Sequence, residues 1–221
     1  MKTSLKLTLL FLLNSVFVSA QYQNILIGNN FAPNEPSIMI NPKNPNQVVA
    51  GANIDNYYYS NDGGWTWLQG TLSSSYGVWG DPVIGVDTAG SFYFFHLSMP
   101  PYPGTWIDRI VCQKSTNGGA TWSDGTFTGL NGSKAQDKHW VAIDRANNNI
   151  YLTWTQFDEY APVPPNPNDS SVILFSRSLD GGNSWSTAKR INKVSGDCED
   201  SDNTVEGAVP AVGPNGEGYV S

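Results

Sequence analysis

Ser60-Asn61-Asp62-Gly63-Gly64-Trp65-Thr66-Trp67 is the stretch that decides how this 221-residue chain folds. An Asp followed by Gly-Gly supplies the positive-φ positions that a tight β-turn demands. The flanking Ser and Thr are spaced to hydrogen-bond across that turn, and the closing Trp brings a large ring to bury against a neighbouring sheet. The pattern recurs as Ser115-Thr116-Asn117-Gly118-Gly119-Ala120-Thr121-Trp122 and as Ser178-Leu179-Asp180-Gly181-Gly182-Asn183-Ser184-Trp185. One hairpin is therefore repeated, with starts 55 and 63 residues apart.

A second repeat precedes each hairpin. Pro36 to Asn41, Pro82 to Asp87 and His139 to Asp144 read as strands, and each runs into a turn at 41–46, 87–90 or 144–149. Strands rich in β-branched and aromatic residues follow at Gln47 to Ala52, Ser91 to Leu97 and Ile150 to Thr155. A fourth copy opens at Gly207 and turns at 213–216. Four antiparallel strands in a repeat of roughly 40–60 residues is a propeller blade. The expectation is an all-β protein, a β-propeller of four-stranded antiparallel blades, with three blades and the start of a fourth in residues 21–221. Propellers hold about four to eight blades, so this is expected to be the N-terminal part of a larger ring, with Ile25 to Gly28 an outer strand donated to its last blade. A β-sandwich is the alternative, and the repeat argues against it. Beyond residue 20 no segment has helical amphipathic periodicity.

The Ser-x-Asp-x-Gly-x-Thr-Trp pattern resembles the Asp-box, or bacterial neuraminidase repeat, and the likeness extends over nearly all of residues 21–221. It implies a sialidase-like propeller of about six blades with a glycan site on one face. In that family the boxes are structural hairpins on the opposite face, a role the resemblance carries to Asp62, Asn117 and Asp180. The chain departs from the family at a decisive place. Where a sialidase has the first of three substrate-gripping arginines, in an Arg-Ile-Pro motif, this chain has Asn34-Glu35-Pro36. A bidentate guanidinium–carboxylate contact is hard to replace.

If the hairpins lie at the bottom, the top holds the starts of the inner strands and the loops 98–105 and 156–171. An acid opens each inner strand: Glu35, Asp81, Asp137 and Glu206. Converging carboxylates raise one another's pKa, which suits an acid/base pair for glycoside hydrolysis; they would equally suit Ca²⁺, or simply bond backbone amides. Glu206 opens the blade after a hairpin, as the family's catalytic glutamate does. Trp79, Tyr102, Trp106 and Tyr160 are candidate platforms for sugar rings. No cofactor motif is present. The run Asp197 to Asp202 lacks the EF-hand glycine and glutamate and reads as a solvated loop. His139 reads as a packing residue. The functional expectation is an exported propeller engaging glycans or glycoconjugates, a glycoside hydrolase if it is an enzyme. The alternatives are a non-catalytic carbohydrate- or protein-binding module of a surface protein and a polysaccharide lyase.

Residues 1–20 read as a signal peptide. Lys2 and Lys6 precede an apolar run from Leu7 to Leu13, and Val18-Ser19-Ala20 is a small-residue cleavage site. The run is too short for a membrane span, which points to a secreted, periplasmic or cell-surface protein. Without the leader the chain carries nineteen acidic and ten basic side chains, a net charge near −9 that argues against nucleic acid as a partner. Export permits a Cys112–Cys198 disulfide, although the fold reading places one on a strand and the other on a distant loop. Mass spectrometry of the exported protein is expected to find Gln21 as its first residue; an intact Met1 would contradict the leader.

Overall fold

The computed structural model describes residues 23–102, 106–199, 201 and 203–221; the leader, its cleavage site, Asp200 and Asp202 lie outside them. The described residues form three four-stranded antiparallel sheets and a two-stranded one. The first holds β1 (Ser37–Ile40), β2 (Val48–Ala52), β3 (Asn56–Ser60) and β4 (Leu68–Thr71) in sequence order. The second holds β5 (Gly80–Val86), β6 (Phe92–Leu97), β7 (Ile110–Ser115) and β8 (Thr126–Thr128). The third holds β9 (Ala135–Ile143), β10 (Ile150–Phe157), β11 (Ser171–Ser178) and β12 (Lys189–Arg190). The fourth pairs β13 (Pro210–Val212) with β14 (Gly218–Val220). The first strands β1, β5, β9 and β13 touch one another in turn, so they line the axis about which the sheets are arranged as blades.

The second strand of each four-stranded sheet is largely covered on both faces, and its composition follows from that. All six residues of β6, Phe92 to Leu97, are buried, as are all five of β2. Such strands read as continuous apolar runs rather than alternating ones. Blades approach closely where side chains are small: a Cβ at Gly51 would stand 2.7 Å from the Phe94 ring of the next blade.

The hairpins do what their residues suggest. In the first, Ser60 Oγ donates to Asp62 Oδ1 (2.7 Å) and accepts from the Gly64 amide (2.9 Å), while Asp62 accepts from the Thr66 amide (2.9 Å) and hydroxyl (2.6 Å). Ser178, Asp180, Gly182 and Ser184 repeat these bonds in the third. In the second, Asn117 keeps the frame by reversing one donor, its Nδ2 donating to Thr121 Oγ1 at 2.8 Å. The Gly63 amide donates to the Asn46 carbonyl, so hairpins and β1–β2-type turns share one end of the molecule.

Each later hairpin locks onto the blade before it. Trp122 packs edge-on against Phe94 of its own blade (5.6 Å between centroids) and Tyr57 of the previous one (6.0 Å). Trp185 packs against Phe95 (6.0 Å) and donates Nε1–H to Thr126 Oγ1 (3.0 Å).

One expectation changes. Ile25 to Gly28 forms no strand; Ile27 packs with Trp67 against Ala50, Ala52 and Tyr58 of the first blade. Cys112 and Cys198 are separate buried thiols, and burial pushes both thiol pKa values up.

Trp122→Ala is expected to cost roughly 3 kcal/mol, and Trp65→Ala, whose ring is 64% exposed, less than about 0.5 kcal/mol. Asn117→Asp should be tolerated within about 0.5 kcal/mol, because Thr121 can donate where it now accepts. Equal losses at Trp122 and Trp65 in urea denaturation would contradict this packing.

Candidate functional site

The end of the axis opposite the hairpins is built on a repeated backbone feature. Six residues before the turn positions Asn41, Asp87, Asp144 and Gly213 stand Glu35, Asp81, Lys138 and Gly207, with φ of +49°, +53°, +48° and +74°. Holding a non-glycine residue in this left-handed region costs about 1–3 kcal/mol and is characteristic of functional sites. In β5 and β9 it coincides with a bulge, the pairing register shifting between Gly80 and Val83 and between Asp137 and Trp140. A bulge re-aims side chains at the end of a sheet. The acids expected to open the inner strands therefore occupy two different positions. Glu35 and Asp81 take the left-handed position, whereas Asp137 and Glu206 precede it, where the other blades have Asn34 and Gly80. Asn53 explains that glycine: its Oδ1 accepts the Asp81 amide at 2.7 Å, and a Cβ at Gly80 would collide with that oxygen. Asn53 Nδ2 in turn donates to Asn34 Oδ1 at 3.0 Å.

Glu35, Asp81, Lys138 and His139, with Pro36, Ser37, Pro82, Val83 and Trp140, line a cavity of about 290 Å³. Lys138 Nζ donates to Asp81 Oδ2 at 3.1 Å, and the Lys138 amide to Asp137 Oδ1 at 2.8 Å. Asp137 is 3% exposed and lies behind the cavity wall. Burial, then the charges of Asp81 and Glu206, raise its pKa to about 7 against the opposing influence of Lys138. Burial disfavours the Lys138 ammonium, yet Asp81, Asp137 and Glu35 together hold it above the ordinary lysine range. Glu206 is exposed and borders a separate depression beside Ile173 and Ile191. His139 is 2% exposed, and neither ring nitrogen has a hydrogen-bond partner. The Phe95 backbone and the His96 ring are close enough to influence it, but neither closes a bond of good geometry; burial lowers its pKa to about 4.

Three of the four expected aromatic residues form one strip. Trp79 meets Trp106 edge-on at 6.1 Å, Trp106 meets Tyr160 at 5.3 Å, and Tyr160 rests on Phe157 at 5.2 Å. Trp79 stands two residues before Asp81, and the Gln136 amide donates to the Ile107 carbonyl at 2.7 Å, so one end of the strip and its middle ring join the acid cluster through the backbone. Tyr102 is 68% exposed and close enough to Arg109 to raise its pKa slightly further. Arg109 is committed elsewhere: its guanidinium binds Asp108 through Nε (2.8 Å) and Nη2 (2.7 Å) and lies 4.6 Å over the Phe127 ring.

Asp62, Asn117 and Asp180 lie in the hairpins at the far end. Hydrogen bonds from Thr66 and Ser60 hold Asp62 down to about 2, and those from Ser184 and Ser178 do the same for Asp180. Among the described residues no three His, Cys, Asp or Glu side chains are arranged to hold a metal ion; among the acids it is Lys138 that supplies the positive charge. Lys138 and Asn53 are the site residues that composition alone does not single out. Aligning the blades on Asn41, Asp87, Asp144 and Gly213 finds Lys138 directly, with Gly207 as the marker of its backbone geometry.

No family model matches this chain, and no curated protein does. Among solved structures it is similar to an α-L-arabinanase of Penicillium chrysogenum complexed with arabinobiose, with TM-score 0.53 and 14% identity over 84% of this chain and 57% of that one. It is also similar to an α-L-arabinofuranosidase of Fusarium graminearum in complex with an iminosugar inhibitor, at 0.54 and 16% over 84% and 57%. A protein of unknown function from Dyadobacter fermentans gives 0.54 and 14% over 85% and 61%. At such identities the likeness speaks for the fold, that of part of a β-propeller. The chain spans about three-fifths of the length of these structures.

The titrating groups make opposed predictions. A carboxyl raised to about 7 binds its proton more tightly folded than unfolded, so Asp137 removes stability as pH rises from about 4 to about 7. His139 and His96, both lowered to about 4, add stability as pH rises through the same window. Only a variant separates them. With Asp81, Lys138, Glu35, Glu206 and His139 left in place, Asp137→Asn is expected to be more stable than the parent at pH 7.5 by about 2–3 kcal/mol. The gain should vanish near pH 4. A gain independent of pH in urea denaturation would contradict the assignment.

Proposed function

We propose that this chain is part of an exported, carbohydrate-engaging propeller of the sialidase-like superfamily, its hairpins Asp-boxes and its glycan site at the acidic end of the axis. The observation that carries the reading is the junction of an acid-lined cavity with an exposed aromatic strip. Sugar rings present axial C–H groups to aromatic faces and hydroxyls to acceptors. Trp79, Trp106 and Tyr160 supply the faces, and Glu35 and Asp81 supply the acceptors. The fold likeness to an arabinanase complexed with arabinobiose agrees with a saccharide ligand.

Hydrolysis is the reaction this cluster suits. A glycosidase needs one carboxyl that keeps its proton near neutral pH and another that does not. Asp137 has the environment of the first. Asp81, on the cavity wall beside Lys138, and Glu206, within electrostatic reach of Asp137, are candidates for the second. The proton would pass to the leaving glycosidic oxygen as the C–O bond breaks, and a carboxylate would take one from the incoming water. A binding module is the competing reading. It is favoured by the burial of Asp137 and by the ion pair that ties Asp81 to Lys138.

A panel of fluorogenic glycosides, sialosides and arabinosides included, separates the two. The hydrolase reading expects turnover that falls at least 100-fold in Asp137→Asn and in one of Asp81→Asn and Glu206→Gln. Saccharide binding without turnover, weakened by Trp106→Ala, would establish the binding module. Neither binding nor turnover by the folded protein would contradict a glycan site.

A further inference from the structure

Two of the three rings in the aromatic strip are carried by loop stems that the chain closes in the same way. One stem brings Trp106 back towards β7. There Ser98 Oγ donates to Asp108 Oδ1 at 2.7 Å and accepts the Arg109 amide at 3.2 Å, and the Ile107 amide donates to the Ser98 carbonyl at 3.0 Å. Arg109 binds both oxygens of Asp108. The other stem follows β10 and carries Tyr160. The Asp158 amide donates to the Ser170 carbonyl at 3.0 Å, and the Ser170 amide and hydroxyl both donate to Asp158 Oδ2 at 3.0 Å. Lys134 Nζ donates to Asp158 Oδ1 at 2.5 Å. Each stem is thus closed by a carboxylate, a serine and a cation.

This closure bears directly on the rings. Ser98 and Asp108 are buried, and Ile107, 1% exposed, is held at φ +41°, a conformation that L-residues avoid. Trp106 is the residue before it, so a bonded and strained backbone fixes where that indole leaves the loop. The ring still stays 40% exposed, beside Trp79 and Tyr160 at 38% each. Contiguous exposed apolar side chains of this kind mark binding sites. The centroid steps along the strip, 6.1 Å and 5.3 Å, are each comparable to the advance of one sugar unit along an oligosaccharide.

We propose that the strip forms subsites for the sugar units that follow the one in the acid cavity, so that the site selects oligosaccharides over monosaccharides, with Asp108 and Asp158 as the positioning residues that hold Trp106 and Tyr160 in place. The inference rests on the glycan site proposed above and adds the length of its ligand. Trp79 stands two residues before Asp81 of the cavity wall, which puts the first ring of the strip beside the cavity in the chain. Rings fixed in advance gain affinity because little side-chain freedom remains to be lost on binding. The two carboxylates act through the rings, since their own oxygens are bonded within the stems.

Calorimetric titration with arabino-, cello-, galacto- and chito-oligosaccharides of one to four units tests this. In any ladder that binds, lengthening from one to three units is expected to tighten binding at least ~10-fold, and Trp106→Ala should remove most of that gain. Asp158→Ala and Ser98→Ala should weaken trisaccharide binding about 2–10-fold and leave monosaccharide binding unchanged. Ser98→Ala serves for the first stem because removing Asp108 would leave the Arg109 charge unpaired. Ser98→Ala should add little in a Trp106→Ala background, and Asp158→Ala little in a Tyr160→Ala background. Equal affinity for one and three units, or a length gain that survives Trp106→Ala, overturns the subsites while leaving the glycan site intact. Losses at Ser98 or Asp158 that persist in full without the matching ring overturn the positioning role. No binding of any ladder by the folded protein overturns the glycan site and this inference with it.

Discussion

A four-stranded blade cannot bury both of its faces by itself, and everything else in this protein follows from how neighbouring blades cover one another. The decisive contacts are tryptophans thrown across the gap by hairpins that carry them at a fixed place. Trp122 reaches Tyr57, and Trp185 reaches Phe95 and Thr126. Each hairpin is rigid enough for this because a serine and an Asp or Asn close it with side-chain bonds to its own backbone. The second glycine of each later hairpin completes the fit. A Cβ at Gly119 would stand 2.5 Å from Val49, and one at Gly182 would stand 3.2 Å from the Cys112 sulfur. Local hydrogen bonding and long-range packing are thus served by the same eight residues.

Stacked in this way, the blades bring their first strands together at the axis and impose a crowded geometry on the strand starts. The chain meets it with a left-handed residue in every blade, glycine in only one of the four. Glu35, Asp81 and Lys138 persist there against the conformational preference of L-residues. Their side chains gather around one cavity, with Asn53 bracing the Asp81 backbone from the neighbouring blade. The fold holds that strain where charged groups are displayed. Beneath them burial and acidic neighbours raise the pKa of Asp137 to about 7.

Much of this architecture is legible in the order of the residues, and what escapes has a physical cause. Hairpins at Asp62, Asn117 and Asp180 are short-range events written in consecutive residues, and the buried second strands announce themselves by their aromatic and β-branched residues. The acids at the strand starts are legible as a group but not in phase. The phase is set by the left-handed residue six places before each turn, which composition does not mark, so Asp137 and Glu206 read as if in line with Glu35 and Asp81 although they stand one place earlier. Lys138 escapes because it breaks the acidic pattern while obeying the positional one. The segment Ile25 to Gly28 reads as a strand by its residues, but a strand needs a partner, and Ile27 instead packs onto the face of the first blade beside Trp67. His139 reads as an ordinary packing residue; only three-dimensional packing leaves both of its nitrogens unpartnered at a cavity wall.

The central claim is that the acid cavity and the aromatic strip form a single saccharide site. A crystal structure of the protein soaked with a neutral oligosaccharide tests it most directly. The account predicts a chain of sugar rings running from the Trp79–Trp106–Tyr160 strip into the cavity, with hydroxyls on Glu35 and Asp81. A saccharide bound only at the hairpin end or along the outer strands, with the cavity holding solvent alone, would contradict it.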